Sequence, residues 1–91
     1  RLPRLGITLG DPTGIGPEII VQALQDRRIR DQAQGVVIGR RAIVQRALKA
    51  TGLDVPVEVL PSLTETSLDA FFDCYRDSAT MPIGVVEIDY Q

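Results

Sequence analysis

An α/β fold, an open and mostly parallel sheet with flanking helices, is predicted by three features of this sequence. Residues 5–9 and 35–39 are short apolar runs bounded by glycine or proline, as in strands buried on both faces of a parallel sheet. The segments after each run place apolar residues at i, i+3 and i+4, the stripe of an amphipathic helix. Strand-like and helix-like segments alternate without an internal repeat or low-complexity tract, which implies βαβ units joined by right-handed crossovers.

The first strand, residues 5–9, has Pro3 before it and Gly10, Asp11 and Pro12 after it, and reads as buried. A helix starts at Pro17, whose fixed φ suits a first helical position, and Glu18 adds negative charge to the first turn. Ile20, Ala23 and Leu24 form its apolar face, Gln22, Gln25 and Asp26 face outward, and the pattern fades over residues 27–30, so the helix is expected to end near Asp26 to Ile29. The second strand, residues 35–39, is followed by a helix over residues 41–51. Ile43, Ala47 and Ala50, joined by Val44 and Leu48, form the inner face of that helix, and Gly52 stops it. Val55, Val57 and Val59 alternate with Pro56, Glu58 and Leu60, a half-buried strand whose proline places it at an edge or a strand start. Ser62 and Glu65 have capping-box spacing, and Leu68, Phe71, Phe72 and Tyr75 make a helical stripe. A last β-rich run covers residues 83–88.

Composition excludes several functions. The chain has 91 residues, 44% hydrophobic and 24% charged, which suits one small domain or part of a larger one and leaves no internal boundary. Its net charge of −2 offers no basic surface to neutralise phosphates, so nucleic acid is not expected as a partner. No apolar stretch approaches the roughly 18 residues that cross a bilayer. One cysteine and no histidine exclude an intrachain disulfide, a zinc centre and a Ser-His-Asp triad built from these residues alone. The chain opens on Arg1 without a leader pattern and stops just after an apolar run, and reads as a cytoplasmic fragment whose sheet edges are covered by further polypeptide.

Residues 10–18 carry the functional information. Three glycines and two prolines in nine residues form a stiff loop between the first strand and first helix, where α/β proteins bring backbone N–H groups and a positive helix end to a ligand. A dinucleotide fingerprint would need a third glycine at Ile19, and Pro17 lacks an amide that such a site uses. A P-loop would need a Gly-Lys-Ser or Gly-Lys-Thr ending, yet no lysine precedes Lys49. Glu18 competes with an anion for the helix dipole, so a ligand here is held through ribose, amide or base rather than bare phosphate.

The loop, read as Gly10, Asp11, Pro12, Thr13, Gly14, Ile15, Gly16, Pro17 and Glu18, resembles the amino-terminal signature of the 4-hydroxythreonine-4-phosphate dehydrogenase family in all nine positions. The related isocitrate and isopropylmalate dehydrogenases have a loop two residues shorter. The resemblance implies the N-terminal part of an isocitrate/isopropylmalate dehydrogenase-like fold. It also implies that residues 1–91 are an N-terminal fragment of a larger NAD-dependent dehydrogenase, inactive alone. That enzyme would oxidise and decarboxylate a small phosphorylated hydroxy acid, 4-phosphooxy-threonine, in pyridoxal phosphate biosynthesis. A divalent metal would be held by ligands outside this fragment, in a homodimer. By analogy with the wider superfamily, Asp11, Thr13, Gly14 and Ile15 would border the cofactor cleft, and no catalytic residue is assigned. The alternatives are a sibling 4-phosphoerythronate or 4-phosphothreonate dehydrogenase of sugar-acid catabolism and a small non-catalytic nucleotide-binding module. Histidines and further strand-helix units encoded past Gln91 would favour an enzyme.

Plainer roles stand beside these. Asp11 is as well suited to an Asx turn as to a ligand. Glu18 serves the helix dipole better than catalysis. Arg40 and Arg41 suit a solvated helix start, Cys74 lacks an activating base, and Phe71, Phe72 and Tyr75 suit packing.

Overall fold

The computed structural model describes residues 2–9, 16–75, 78 and 80–87. Four strands, β1 (Arg4–Thr8), β2 (Gln34–Gly39), β3 (Val57–Val59) and β4 (Ile83–Glu87), form one all-parallel sheet in the order β1-β2-β4-β3. The helices are α1 (Gly16–Gln25), the single-turn α2 (Arg27–Arg30), α3 (Arg41–Thr51) and α4 (Glu65–Cys74). The α/β class and the flanking helices are as the sequence predicts.

Alternation along the strands splits the core into two layers. Val37, Ile83 and Val85 meet Val21 of α1 and Val44, Ala47 and Leu48 of α3 on one face. Val36 and Leu60 meet Leu68, Phe71 and Phe72 of α4 on the other. The chain steps the same way from β1 to β2 and from β2 to β3, then back to β4, so right-handed crossovers require α4 on the face opposite α1 and α3.

β2 and α3 match their sequence pattern closely. β2 is the inner strand between β1 and β4, and α3 ends at Gly52, whose φ of 74° is the left-handed region that glycine enters without a Cβ penalty. Ala50, expected on the inner face of α3, is exposed, and Val44, Ala47 and Leu48 carry the packing. In α1 the fully buried side chain is Val21, with Ile20 and Leu24 packed beside it.

Elsewhere the structure corrects the sequence. β1 is an edge strand, and its Leu5 is 51% exposed, so an apolar run bounded by breakers does not by itself secure burial. β3 is an edge strand, as Pro56 suggested, but Leu60 is buried because the face it shares with Glu58 is the one α4 covers. α1 ends at Gln25, close to the expected stop, but the chain then restarts as α2, where Asp26 accepts a hydrogen bond from the Arg28 N–H at 2.9 Å. Gln25 turns inward, its Nε2 donating to the Met81 carbonyl at 2.8 Å. Thr64, not Ser62, caps α4, accepting from the Ser67 N–H at 3.3 Å, while Ser62 Oγ shares hydrogen bonds with the Thr64 and Ser67 hydroxyls.

Candidate functional site at the carboxyl edge of the sheet

In a parallel sheet every strand delivers its carboxyl end to the same edge, and connections that leave toward opposite faces open a crevice there. Here β2 leads into α3 on one face and β3 leads toward α4 on the other. β1 ends and α1 begins at that edge. In the loop between them, the proposed cofactor-binding residues Asp11, Thr13, Gly14 and Ile15, with Gly10 and Pro12, lie outside the described residues.

Both anchors of the loop are described. Leu9 continues β1, and its N–H donates to the Ile38 carbonyl at 3.4 Å. A Cβ at Gly39 would stand 2.8 Å from Leu9 Cδ1, so glycine there leaves room for the Leu9 side chain as the loop begins. At the far end, α1 begins at Gly16 with Pro17 buried and Glu18 in its first turn. Pro17 contributes no N–H, and Glu18 already supplies the charge that the helix end attracts. This end of α1 suits neutral hydrogen-bonding groups better than a bare phosphate.

Two further elements meet the same edge. Arg40 is exposed at the N-cap of α3 and makes no side-chain cap there. Glu87, paired in register with Gly39, accepts a hydrogen bond from the Arg41 N–H at 3.4 Å through Oε2. Glu87 thus caps α3 from another strand. Sequence reasoning missed it because the link spans 46 positions and depends on strand register.

The opposite end of the sheet is separate in place and chemistry. A cavity of about 110 Å³ there is lined by Leu24, Arg27, Gly35, Phe72, Tyr75 and Ile83 among others. Phe71 packs edge-on against Phe72 at a centroid distance of 5.0 Å, and Tyr75 Oη donates to Glu58 Oε1 at 3.0 Å. That hydrogen bond holds the Tyr75 phenol above its usual pKa range. The aromatic cluster is packing, as expected, and Cys74 is exposed beside it. Among the described residues no three His, Cys, Asp or Glu side chains converge as a metal site, and no helix is long and apolar enough to cross a membrane.

No family model matches the chain. Over 86 residues, 94% of its length, it is 35% identical to a protein of Novosphingobium aromaticivorans provisionally named 4-hydroxythreonine-4-phosphate dehydrogenase, covering 26% of that protein. It is 41% identical over 80 residues to the 4-hydroxythreonine-4-phosphate dehydrogenase of Trichlorobacter lovleyi, covering 72% of this chain and 24% of that one. A protein of Oceanobacillus iheyensis with the provisional name D-threonate 4-phosphate dehydrogenase is 45% identical over 55 residues, 60% of this chain and 17% of that one. The crystal structure of a 4-hydroxythreonine-4-phosphate dehydrogenase from Burkholderia phymatum superposes with a TM-score of 0.68 over 98% of this chain and 23% of that one. At 24% identity that superposition bears on the fold alone. The chain spans about a quarter of the length of the first two curated relatives. In sequence, this stretch belongs to the 4-hydroxythreonine-4-phosphate dehydrogenase family.

Proposed function

We propose that the full-length protein is an NAD-dependent, divalent-metal-dependent dehydrogenase that oxidises and decarboxylates 4-phosphooxy-threonine in pyridoxal phosphate biosynthesis, as a cytoplasmic homodimer. The observation that carries this reading is the nine-residue loop of residues 10–18, in a chain related over 94% of its length to a protein bearing that enzyme name. The anchors of the loop support it: Leu9 and Gly16 stand at the carboxyl edge of a parallel sheet, where α/β proteins take their ligands.

In this reading, residues 1–91 supply a wall and not the chemistry. When bound, NAD would supply the hydride acceptor for the secondary alcohol of the substrate. By analogy with the wider superfamily, Asp11, Thr13, Gly14 and Ile15 would border its cleft. Among the described residues no group of side chains fits a metal, and in this reading its ligands lie outside residues 1–91, so no step is assigned to it in this chain.

The test is a turnover assay of the full-length protein, following nicotinamide reduction with 4-phosphooxy-threonine, with and without a chelator. Turnover of that substrate, lost on chelation, is expected. The Oceanobacillus relative favours a second substrate reading, so D-threonate 4-phosphate and 4-phosphoerythronate belong in the same assay. Preference for either would move the protein to the sugar-acid branch, and no nicotinamide reduction with any of the three would refute the dehydrogenase reading.

A further inference from the structure

On the face covered by α1 and α3, β2 presents Gly35, Val37 and Gly39 in turn. The two glycines admit different neighbours. A Cβ at Gly35 would stand 2.5 Å from Leu24 Cδ2, on α1, so that glycine serves helix packing. A Cβ at Gly39 would meet Leu9 instead, 2.8 Å from its Cδ1, 3.1 Å from its Cγ and 3.5 Å from its Cβ. Leu9 is the residue that leads into the loop of residues 10–18.

A methyl group added at position 39 has to displace something, and the surroundings decide what. Gly39 is buried in a strand held between β1 and β4, pairs in register with Glu87, and runs directly into the N-cap of α3 at Arg40. Leu9 lies one residue past the end of β1, held by a long backbone bond from its N–H to the Ile38 carbonyl at 3.4 Å. Its side chain packs against the cluster that includes Val21, Val37 and Val44. A new rotamer would drive the side chain further into that close-packed layer or pull it out of it, at a cost either way. The backbone of Leu9 therefore yields before that of Gly39.

We infer that Gly39 is a positioning residue for the cofactor cleft: its lack of a side chain admits Leu9 against the sheet, and Leu9 so placed fixes where the chain enters residues 10–18. Gly39 touches no ligand in this account and acts through Leu9. The effect on NAD rests on the proposed dehydrogenase reading, whereas the displacement of Leu9 does not.

Gly39→Ala and Leu9→Ala, singly and together in the full-length protein, test this by two readouts. Amide hydrogen exchange reads the displacement: in Gly39→Ala the Leu9 amide should exchange about tenfold faster or more, while Val37 and Val85 inside the sheet stay within about threefold. Calorimetry reads the consequence: Gly39→Ala should weaken NAD binding about tenfold, and Leu9→Ala, which gives up the same contact, should weaken it too. Adding Gly39→Ala to Leu9→Ala should cost less than about twofold more, because the atoms that the new Cβ would strike are gone. Unchanged Leu9 exchange in Gly39→Ala would overturn the inference. So would unchanged NAD affinity in either single variant, or an equal loss from Gly39→Ala in both backgrounds. If Gly39→Ala does not fold, a folded double variant supports action through Leu9, and an unfolded one overturns it. A parent protein that binds no NAD would refute the cofactor reading instead, with Leu9 exchange still deciding whether Gly39 positions Leu9.

Discussion

Phe71→Ala tests the packing that holds α4 to the sheet. Phe71 is 2% exposed, and its ring carries the contact between α4 and the centre of β4: a Cβ built at Gly84 would lie 3.0 Å from its Cε2 and Cζ. Removing a buried Phe ring to Ala costs about 3–5 kcal/mol, of which the edge-on contact with Phe72 accounts for about 0.5–1.5 kcal/mol. A unit of this size has about 5–14 kcal/mol of total stability, so the loss is a large fraction of it. At about 1.4 kcal/mol per factor of ten, native-state exchange of the Val36 and Val85 amides in the full-length protein should accelerate roughly 100- to 3,000-fold. Complete loss of protection counts on the same side, and Phe71→Leu should fall between the variant and the parent. Acceleration below about tenfold in Phe71→Ala would refute the claim that this ring anchors α4.

Gly14→Val in the full-length protein should weaken NAD binding while leaving the fold largely intact, and unchanged affinity by calorimetry would count against the cofactor cleft. Gly52→Ala places a Cβ at a φ of 74° and should cost about 1 kcal/mol, read as a lower melting temperature, with Gly52→Asn costing less. The side-chain hydrogen bond from Arg28 holds the Asp26 carboxyl below its ordinary pKa of 3.8. Its cap on α2 is therefore complete above that value and lost as pH falls through the lower folded-state pKa, and a carboxyl titration by NMR with a midpoint at or above 3.8 would contradict it.

The parts of the fold that local chemistry specifies were legible in the sequence. Residues 41–51 form a helix because their apolar stripe and Gly52 agree, and residues 34–39 form an inner strand because both faces are apolar. The loop of residues 10–18 identifies the family because its nine positions are contiguous, so no fold is needed to read them. The residues that flank it were harder. Glu87 lies beside Arg41 only because β4 pairs with β2, and Leu60 is buried only because α4 covers that face.

Element type follows from neighbours a few positions apart, so the amino-acid order alone determined where strands and helices lie and which loop carries the family's signature. Only the tertiary structure decided that the last strand slots between β2 and β3, leaving β1 and β3 as edges. Strand order is a contest among long-range pairings whose apolar runs look alike locally, settled by which arrangement buries both faces of the sheet under the three longer helices.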